Sequence, residues 1–558
     1  MKENEKEVRG FRLIFGYLGI FLSLIGVITL LPLFMLCFYP SEYECWYLFV
    51  IPSFSFIFVG LVLFLTLIRG RKKARFARFE NSQLLLLVWL LAVLAGALPF
   101  YLGKCFGLMN MDFSESVFES ASAYSTTGLT VFKDYVDIPN AFAPHVFCFH
   151  RSLMQFIGGV GLVLLLESVL GFASTSLYTT EGHSDKLLPS IVKSARLLFS
   201  IYIGYTLVGT LALWLAGMDL FDAMNHSMCA LSGGGMSTHS SSIAYFRNSS
   251  GNGILSANSI AIEIIIMALV LLSSTSFLLH TFILTFKWKK FTKDDEIRFA
   301  FFMILLFSIV VSISGAMNLA NINHNSFSDN LAESIRESTF YVIASATTSG
   351  FANTSLQGMF NLGKPLLFAC TFLMIIGGGA GSCGGGIKQY RVFICLKDLW
   401  YSLKYRFSPS HQINPRTTYR YGKLSPLTDE TVKNAYSYSL LFLIVFAISV
   451  IILVFLPDFD AEEAAFDVAS GMSNTGLAAT DFVTYGIMHP NAYPVALWTL
   501  SVGMILGRLE IMPLIYAGRS IREEIVFQNH QKRLAKERSA QDSFEDEEDS
   551  FKEEALKY

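Results

Sequence analysis

Ser125-Thr126-Thr127-Gly128-Leu129 closes a half-polar stretch, Phe113–Ser125, that is too short to cross a bilayer, and the chain returns to this pattern three more times. Leu231-Ser232-Gly233-Gly234-Gly235-Met236 follows Phe221–Ser232, Thr347-Thr348-Ser349-Gly350-Phe351 follows Leu331–Thr347, and Ser473-Asn474-Thr475-Gly476-Leu477 follows Ala461–Ser473. Backbone with neither helix nor sheet partners survives at membrane depth only where protein buries it or water lines it. Glycine admits positive φ, so successive carbonyls of such a loop can turn toward one axis. A ring of carbonyls replaces the hydration shell of a monovalent cation, and the C-terminal end of each preceding half-helix adds about half a negative charge at the same point. One small-residue cluster would be ordinary helix-contact material. Four in register imply a shared aqueous path.

The rest of the chain supplies the membrane. Of 558 residues 53% are hydrophobic and only 15% charged, against roughly 25% charged in soluble domains. A spanning helix needs about 20 apolar residues, and ten stretches qualify: Phe11–Phe38, Trp46–Ile68, Leu84–Leu102, Phe149–Gly171, Ala195–Ala216, Ser259–Phe286, Ile297–Leu319, Pro365–Leu396, Ala435–Leu456 and Ala492–Ala517. The first is too long for the core of a signal peptide and reads as a helix that stays in the membrane. With the N-terminus inside, 35 of the 42 Lys and Arg residues fall in cytoplasmic segments, as the bias of basic residues toward that side requires. All four half-helices then enter from outside. The expected class is an all-α membrane protein with a two-helix hairpin (1–83) and four span, half-helix, span repeats at 84–194, 195–296, 297–434 and 435–518, followed by a charged cytoplasmic tail (519–558). The tail is expected to be helical over Ile521–Arg538 and disordered toward the acidic run Glu545–Asp549.

Eight scattered cysteines, with no CxxC pair, exclude zinc ribbons, thioredoxin chemistry and a disulfide scaffold. The net charge of −2 offers no basic face for nucleic acid. No catalytic triad or metal-ligand spacing is visible, so neither enzyme nor covalent cofactor is expected. Glu167 and Glu263 are expected to snorkel toward span ends, and His280 to pack.

Two further features stand out. Gly377-Gly378-Gly379-Ala380-Gly381-Ser382-Cys383-Gly384-Gly385-Gly386 places seven glycines in ten residues inside the eighth span. At about 1 kcal/mol per glycine no helix persists there, and without Gly-Lys-Ser/Thr or a preceding strand it is no phosphate loop. It reads as an unwound intramembrane loop, mobile because nothing holds its backbone. Arg508 reads as the one basic residue deep in an unbroken span, where a charge costs at least ~2.5–3.5 kcal/mol. It is expected to face that loop or to pair with a carboxylate of a neighbouring span; Glu510, two positions on, points elsewhere.

From residue 84 to 517 the chain resembles the Trk/Ktr/HKT superfamily of potassium transporters, with the leading hairpin of its bacterial TrkH/TrkG branch. The resemblance rests on the four loops, on His150-Arg151-Ser152 with Ile157-Gly158-Gly159-Val160-Gly161, on Ser237-Thr238-His239 and on Gly503-Met504-Ile505-Leu506-Gly507-Arg508-Leu509-Glu510. It implies four covalently joined M1-pore-M2 units like a potassium channel, with K⁺ as the transported ion. It assigns the selectivity filter to Thr126, Thr127, Gly128, Leu129, Gly233, Gly234, Gly235, Thr348, Ser349, Gly350, Phe351, Asn474, Thr475, Gly476 and Leu477, with Gly128, Gly234, Gly350 and Gly476 as the filter glycines. It assigns the gate to Gly377, Gly378, Gly379, Gly381, Ser382, Cys383, Gly384, Gly385, Gly386 and Arg508. A serine at the first filter glycine goes with sodium transport in plant relatives, so Gly128 favours potassium. Gly233 stands where threonine is usual, which bears on selectivity, and Cys383 where threonine or serine is usual, which bears on the gate. The resemblance also implies a homodimer in the inner membrane, bound to a cytoplasmic ring of nucleotide-binding TrkA-type subunits; the basic 388–433 linker reads equally as a docking surface for it or as a solvated, lipid-facing patch. Two rivals stand beside it: a sodium- or proton-coupled transporter with its site at the broken helix, and a membrane enzyme using Ser382, Cys383 or Glu167.

Overall fold

The computed structural model describes residues 11–68, 80–105, 111–132, 144–161, 191–248, 258–407 and 416–519, with 522 and 526. The N-terminal decapeptide, the end of the first unit with Glu167, and nearly all of the charged tail lie outside the described residues.

Helices Phe11–Leu30 and Trp46–Leu67 form the leading hairpin. They approach closely because Gly19 and Gly60 face each other, where a Cβ on either would stand 2.5 Å from the other's carbonyl oxygen; small residues permit such backbone contact in membranes. The hairpin packs on Glu80–Cys105 and helps to bury it, which is why that helix contributes Leu84, Val88, Trp89 and Ala92 to the core. Helices nearer the rim show apolar side chains outward instead. Leu440, Ile448 and Ile451 of Asp429–Val454 are each more than half exposed, a surface suited to lipid and not to water.

Each of the four units then places a shorter helix after its first long one: Phe113–Tyr124, Leu220–Ser232, Phe327–Ala346 and Ala461–Met472, of which the third, at 20 residues, outruns both the expected Leu331–Thr347 and the Lys364–Ile376 helix that follows it. Their first turns are acidic, carrying Glu115, Asp222, Asp329, and Glu462 with Glu463, which favours the positive helix N-terminus. Asp112 and Asp219 stand at the first two caps, where the Asp112 N–H donates to Glu115 Oε2 at 2.7 Å and Asp219 accepts from the Phe221 N–H at 3.3 Å. The residues at their C-terminal ends, Ser125, Ser232, Thr347 and Ser473, are all buried, so the four C-termini point into the molecule.

Among the described residues, six of the ten expected spans are single helices long and apolar enough to cross a membrane; the expected Phe149–Gly171 runs beyond the described residues after Gly161. Two that were expected to run straight are bent. Ser259–Ser273 and Phe277–Leu284 meet at 117°, because Ser274 and Thr275 turn their hydroxyls back onto the Leu271 carbonyl at 3.2 and 2.8 Å and so compete with the helical ladder. Tyr493–Arg508 and Ile511–Arg519 meet at 92°: Glu510 takes φ +55°, and Pro513 has no N–H to return to the Leu509 carbonyl. Arg508 thus ends a helix instead of lying within an unbroken one. The eighth span is broken as expected, into Lys364–Ile376 and Gln389–Arg406. A two-stranded hairpin, β1 (Thr417–Arg420) and β2 (Lys423–Pro426), follows before the fourth unit.

Candidate functional site

The loops after the four short helices share one backbone pattern. After Ser125, Ser232, Thr347 and Ser473 comes a residue with positive φ: Thr126 (+59°), Gly233 (+74°), Thr348 (+54°) and Asn474 (+56°). Two residues on, φ is positive again at Gly128 (+98°), Gly235 (+65°), Gly350 (+69°) and Gly476 (+102°). Between them, the N–H of Thr127, Gly234, Ser349 and Thr475 reaches back five residues to the helix, at 2.8, 3.1, 2.9 and 2.8 Å. The second loop's equivalent of Gly128 is therefore Gly235; the sequence reading had placed it at Gly234, and a run of three glycines gives composition no means to choose. Thr126 and Thr348 are β-branched residues in a left-handed conformation, a strained state that only surrounding structure sustains. Gly233 relieves that strain in the second unit.

The four glycines close a ring. A Cβ on Gly128 would strike the carbonyl of Gly234, one on Gly235 that of Ser349, one on Gly350 that of Thr475, and one on Gly476 that of Thr127. Each glycine thus abuts the carbonyl that precedes the next unit's glycine, around all four units. The Asn474 Nδ2 amide ties the fourth unit to the first by donating to Thr127 Oγ1 at 3.0 Å. On one side lies a cavity of about 330 Å³ that all four units line, with Gly128 and Thr130, Gly235 and Thr238, Gly350 and Thr354, and Gly476 and Asp481.

A second ring lies behind the first, and the sequence reading missed it. Nine positions before each glycine the short helix carries a residue that holds the chain leaving the loop. Glu119 accepts from Thr130 Oγ1 at 3.0 Å and from the Val131 N–H at 3.1 Å. His226 Nε2 lies 2.9 Å from Ser237 Oγ, the Tyr341 hydroxyl 2.8 Å from Thr354 Oγ1, and Asp467 Oδ1 accepts from the Ala479 N–H at 2.7 Å. All four are buried. Glu119 is matched by the buried Arg151, whose Nε donates to it at 2.6 Å and whose Nη1 reaches the Ser237 carbonyl of the second unit. Glu263, expected to snorkel, is buried too, because the Arg336 guanidinium grips it at 2.7 and 2.8 Å. His280 packs as expected, 5.5 Å from the Tyr205 ring.

On the other side of the ring sits the glycine loop, and it is held. Gly378 N–H donates to Gly385 O at 3.1 Å, and Ile387 and Lys388 N–H to Ile375 and Ile376 O, so the two half-helices are strapped together. Gly379 and Cys383 N–H donate to Ser274 and Ser273 O at the bend of the second unit, and Phe277 N–H returns to Gly381 O at 3.0 Å. Ala380 N–H meets Glu296 Oε1 at 2.5 Å, and Gly385 N–H meets Thr348 Oγ1 at 3.1 Å. The expectation of an unheld backbone is corrected: carbonyls freed by the bend at Ser274 supply partners that the loop's own sequence does not reveal. Arg508 lies where it was expected, against the loop. Its Nη1 donates to Cys383 O at 2.7 Å and to Thr126 Oγ1 at 3.3 Å, and its Nη2 to Gly158 O and, at 3.2 Å, to Gly159 O. Glu510 indeed points elsewhere, to Arg391 at 2.7 Å.

The family model described as TrkH, cation transport protein, matches residues 55–524. An uncharacterised cation transporter of Methanocaldococcus jannaschii is 28% identical over 518 residues, covering 92% of this chain and 95% of the relative. The Trk system potassium uptake protein TrkH of Escherichia coli K12 is 30% identical over 460 residues, covering 80% of this chain and 86% of the relative. The crystal structure of the potassium transporter TrkH from Vibrio parahaemolyticus matches with a TM-score of 0.72 at 27% identity, over 90% of this chain and 98% of that one. A four-unit membrane fold, a closed ring of loop glycines and a glycine-broken helix therefore coincide with a match over most of the chain, and the chain belongs to the TrkH family of cation transport proteins.

Proposed function

We propose that this protein carries K⁺ across the cell's inner membrane by channel-like permeation. The observation that carries the reading is the closed ring, in which Gly128, Gly235, Gly350 and Gly476 each abut the next unit's carbonyl. The ion enters the 330 Å³ vestibule and exchanges water for carbonyls at residues 126–129, 233–236, 348–351 and 474–477, which constitute the filter. The four short-helix C-termini add negative potential there. The glycine loop and Arg508 form the gate: the loop lies beneath the ring, and the guanidinium stands between it and Thr126. The membrane potential drives uptake, at ~2.3 kcal/mol per charge per 100 mV. K⁺ is cargo and no covalent cofactor takes part; the protein acts as a transporter and not as an enzyme.

The charge distribution supports cytoplasmic termini, with 35 of 42 basic residues on one side. The chain is divided into a hairpin, four units and a tail near residues 83, 194, 296, 434 and 518, each inside a helix and a few residues from its end. The functional assembly is a homodimer with one pore per subunit, bound on the cytoplasmic side to a TrkA-type nucleotide-binding ring. A potassium-uptake-deficient bacterium expressing the protein should grow on limiting K⁺, with or without added Na⁺. No rescue refutes the reading, and rescue only with Na⁺ replaces it with the ion-coupled transporter.

A further inference from the structure

The second ring asks for a role. Glu119, His226, Tyr341 and Asp467 share no chemistry: an anion, an imidazole, a phenol and a second acid. They share a place, nine residues before the ring glycine, and an action, holding the segment two to four residues beyond that glycine through Thr130 and Val131, Ser237, Thr354 and Ala479. Mere burial of polar side chains would not select the same column in four units whose sequences otherwise differ. Each loop is therefore fixed at two ends, by the N–H returning to its helix before the glycine and by this strut after it. Because each glycine lies against the next unit's carbonyl, slack in one strut passes to the neighbouring quadrant.

We propose that Glu119, His226, Tyr341 and Asp467 are positioning residues for ion selectivity, four struts that set the width of the carbonyl ring. The proposal rests on the reading of that ring as the ion filter. A ring held at fixed width favours the ion whose hydration shell it matches; a ring free to contract also accommodates the smaller Na⁺. The struts touch no ion. They act through the segment they hold, so their loss should change discrimination between ions more than the maximal rate.

Tyr341→Phe tests this with the least damage, since it removes one hydroxyl and no charge. Asp467→Leu and Asp467→Asn form a second pair, because the asparagine keeps a carbonyl oxygen for the Ala479 N–H. The purified proteins in liposomes are compared for half-saturating K⁺ and Na⁺ concentrations, maximal flux and melting temperature. The expected result is a fall of about fivefold in K⁺-over-Na⁺ preference for Tyr341→Phe, the factor that one net hydrogen bond corresponds to. Asp467→Leu should fall at least as far, and Asp467→Asn should stay nearer the unaltered protein. If Tyr341→Phe and Asp467→Leu both fold and retain full preference, the struts are structural only and the proposal is overturned. No K⁺ flux in the unaltered protein would instead refute the filter reading beneath it.

Discussion

Replacing Arg508 tests the gate at its most constrained point. The guanidinium lies 3.3 Å from Thr126 Oγ1 in the first loop, so a cation held in the ring stands ~6–8 Å away, and at an effective dielectric of about 20 the repulsion is roughly 2–3 kcal/mol. Arginine stays protonated at any working pH, so this barrier is permanent while the side chain keeps its place. Arg508→Ala removes it and also removes charge-assisted hydrogen bonds to Cys383 O at 2.7 Å, in the glycine loop, and to Gly159 O at 3.2 Å, in the first unit, which together tie the loop to that unit. The barrier alone corresponds to roughly a thirty- to hundredfold rise in flux. Rubidium or potassium flux in liposomes, in the absence of any cytoplasmic partner, should rise by at least that factor for Arg508→Ala and Arg508→Gln. Arg508→Lys keeps the charge but not the fork, and should rise much less. Among the described residues the hydrogen-bond partners of Arg508 are carbonyls and one hydroxyl, so its removal strands no carboxylate of the kind that costs ~3–5 kcal/mol, and melting in detergent should stay near normal. Folded Arg508→Ala with unchanged or lower flux refutes the reasoning, and a sharply lowered melting temperature shows that the side chain is a structural brace instead.

The ring glycines make sharper predictions by comparison with each other. Gly128→Ser, at φ +98° and with its Cβ aimed at the Gly234 carbonyl, should lower potassium preference over sodium; an unchanged ion ratio in a flux assay removes Gly128 from the filter. Gly235→Ala should impair uptake more than Gly234→Ala, because the first meets the Ser349 backbone at positive φ and the second, at ordinary φ, meets a side chain, Gln155, at the cost of its hydrogen bond from the Met236 N–H; the reverse order in a rubidium uptake assay restores Gly234 to the ring. Deleting Gly379–Gly384 discards the loop's bonds to Ser273, Ser274 and Glu296 and should raise basal flux in liposomes, whereas loss of flux in a folded protein would make the loop part of a substrate site and favour coupled transport.

Among the described residues, hydropathy found the six helices long and apolar enough to span, because lipid-facing residues must be apolar whatever else they do; it missed the full length of the polar Phe327–Ala346 and Gln389–Arg406. It could not find the bends at Ser274 and Leu509, since a window of about 20 residues averages over two hydroxyls or one proline. The local signs were present nonetheless, in the run Ser273-Ser274-Thr275-Ser276 and in Pro513 after Glu510. The loops were legible from their small residues, while the register of the second was not: three consecutive glycines allow positive φ at any place, and only the folded backbone, with φ positive at Gly233 and Gly235 and Gly235 against Ser349, selects Gly235. The struts escaped notice for a different reason. A search for repeats looks for like residues, whereas the fold asks only for a polar atom at the right reach, which glutamate, histidine, tyrosine and aspartate all supply. Aligning the four units on their ring glycines, and not on their similarity, exposes that column.

The same alignment accounts for the asymmetry of the proposed gate beside a symmetric ring. Discrimination between ions of one charge requires four nearly equivalent carbonyl layers, so the backbone pattern around the glycines is kept in every unit and only the side chains drift. Obstruction needs a single plug, and a covalent chain can assign its parts to different units. Cys383, in the loop of the third, collects them: its N–H donates to Ser273 O and its Sγ lies 2.5 Å from the Tyr202 hydroxyl, both of the second unit. That Sγ also donates to Gly159 O of the first unit at 3.0 Å, and the Cys383 carbonyl accepts from Arg508 of the fourth. One residue therefore touches all four quadrants just beneath the ring. Withdrawing the loop must break contacts to each of them together, and a rearrangement of any one unit weakens the hold of the plug without altering the carbonyl layer above it. On the proposed reading, selectivity and opening are in this way assigned to separate atoms of the same backbone, so that the ring can stay rigid while the plug moves.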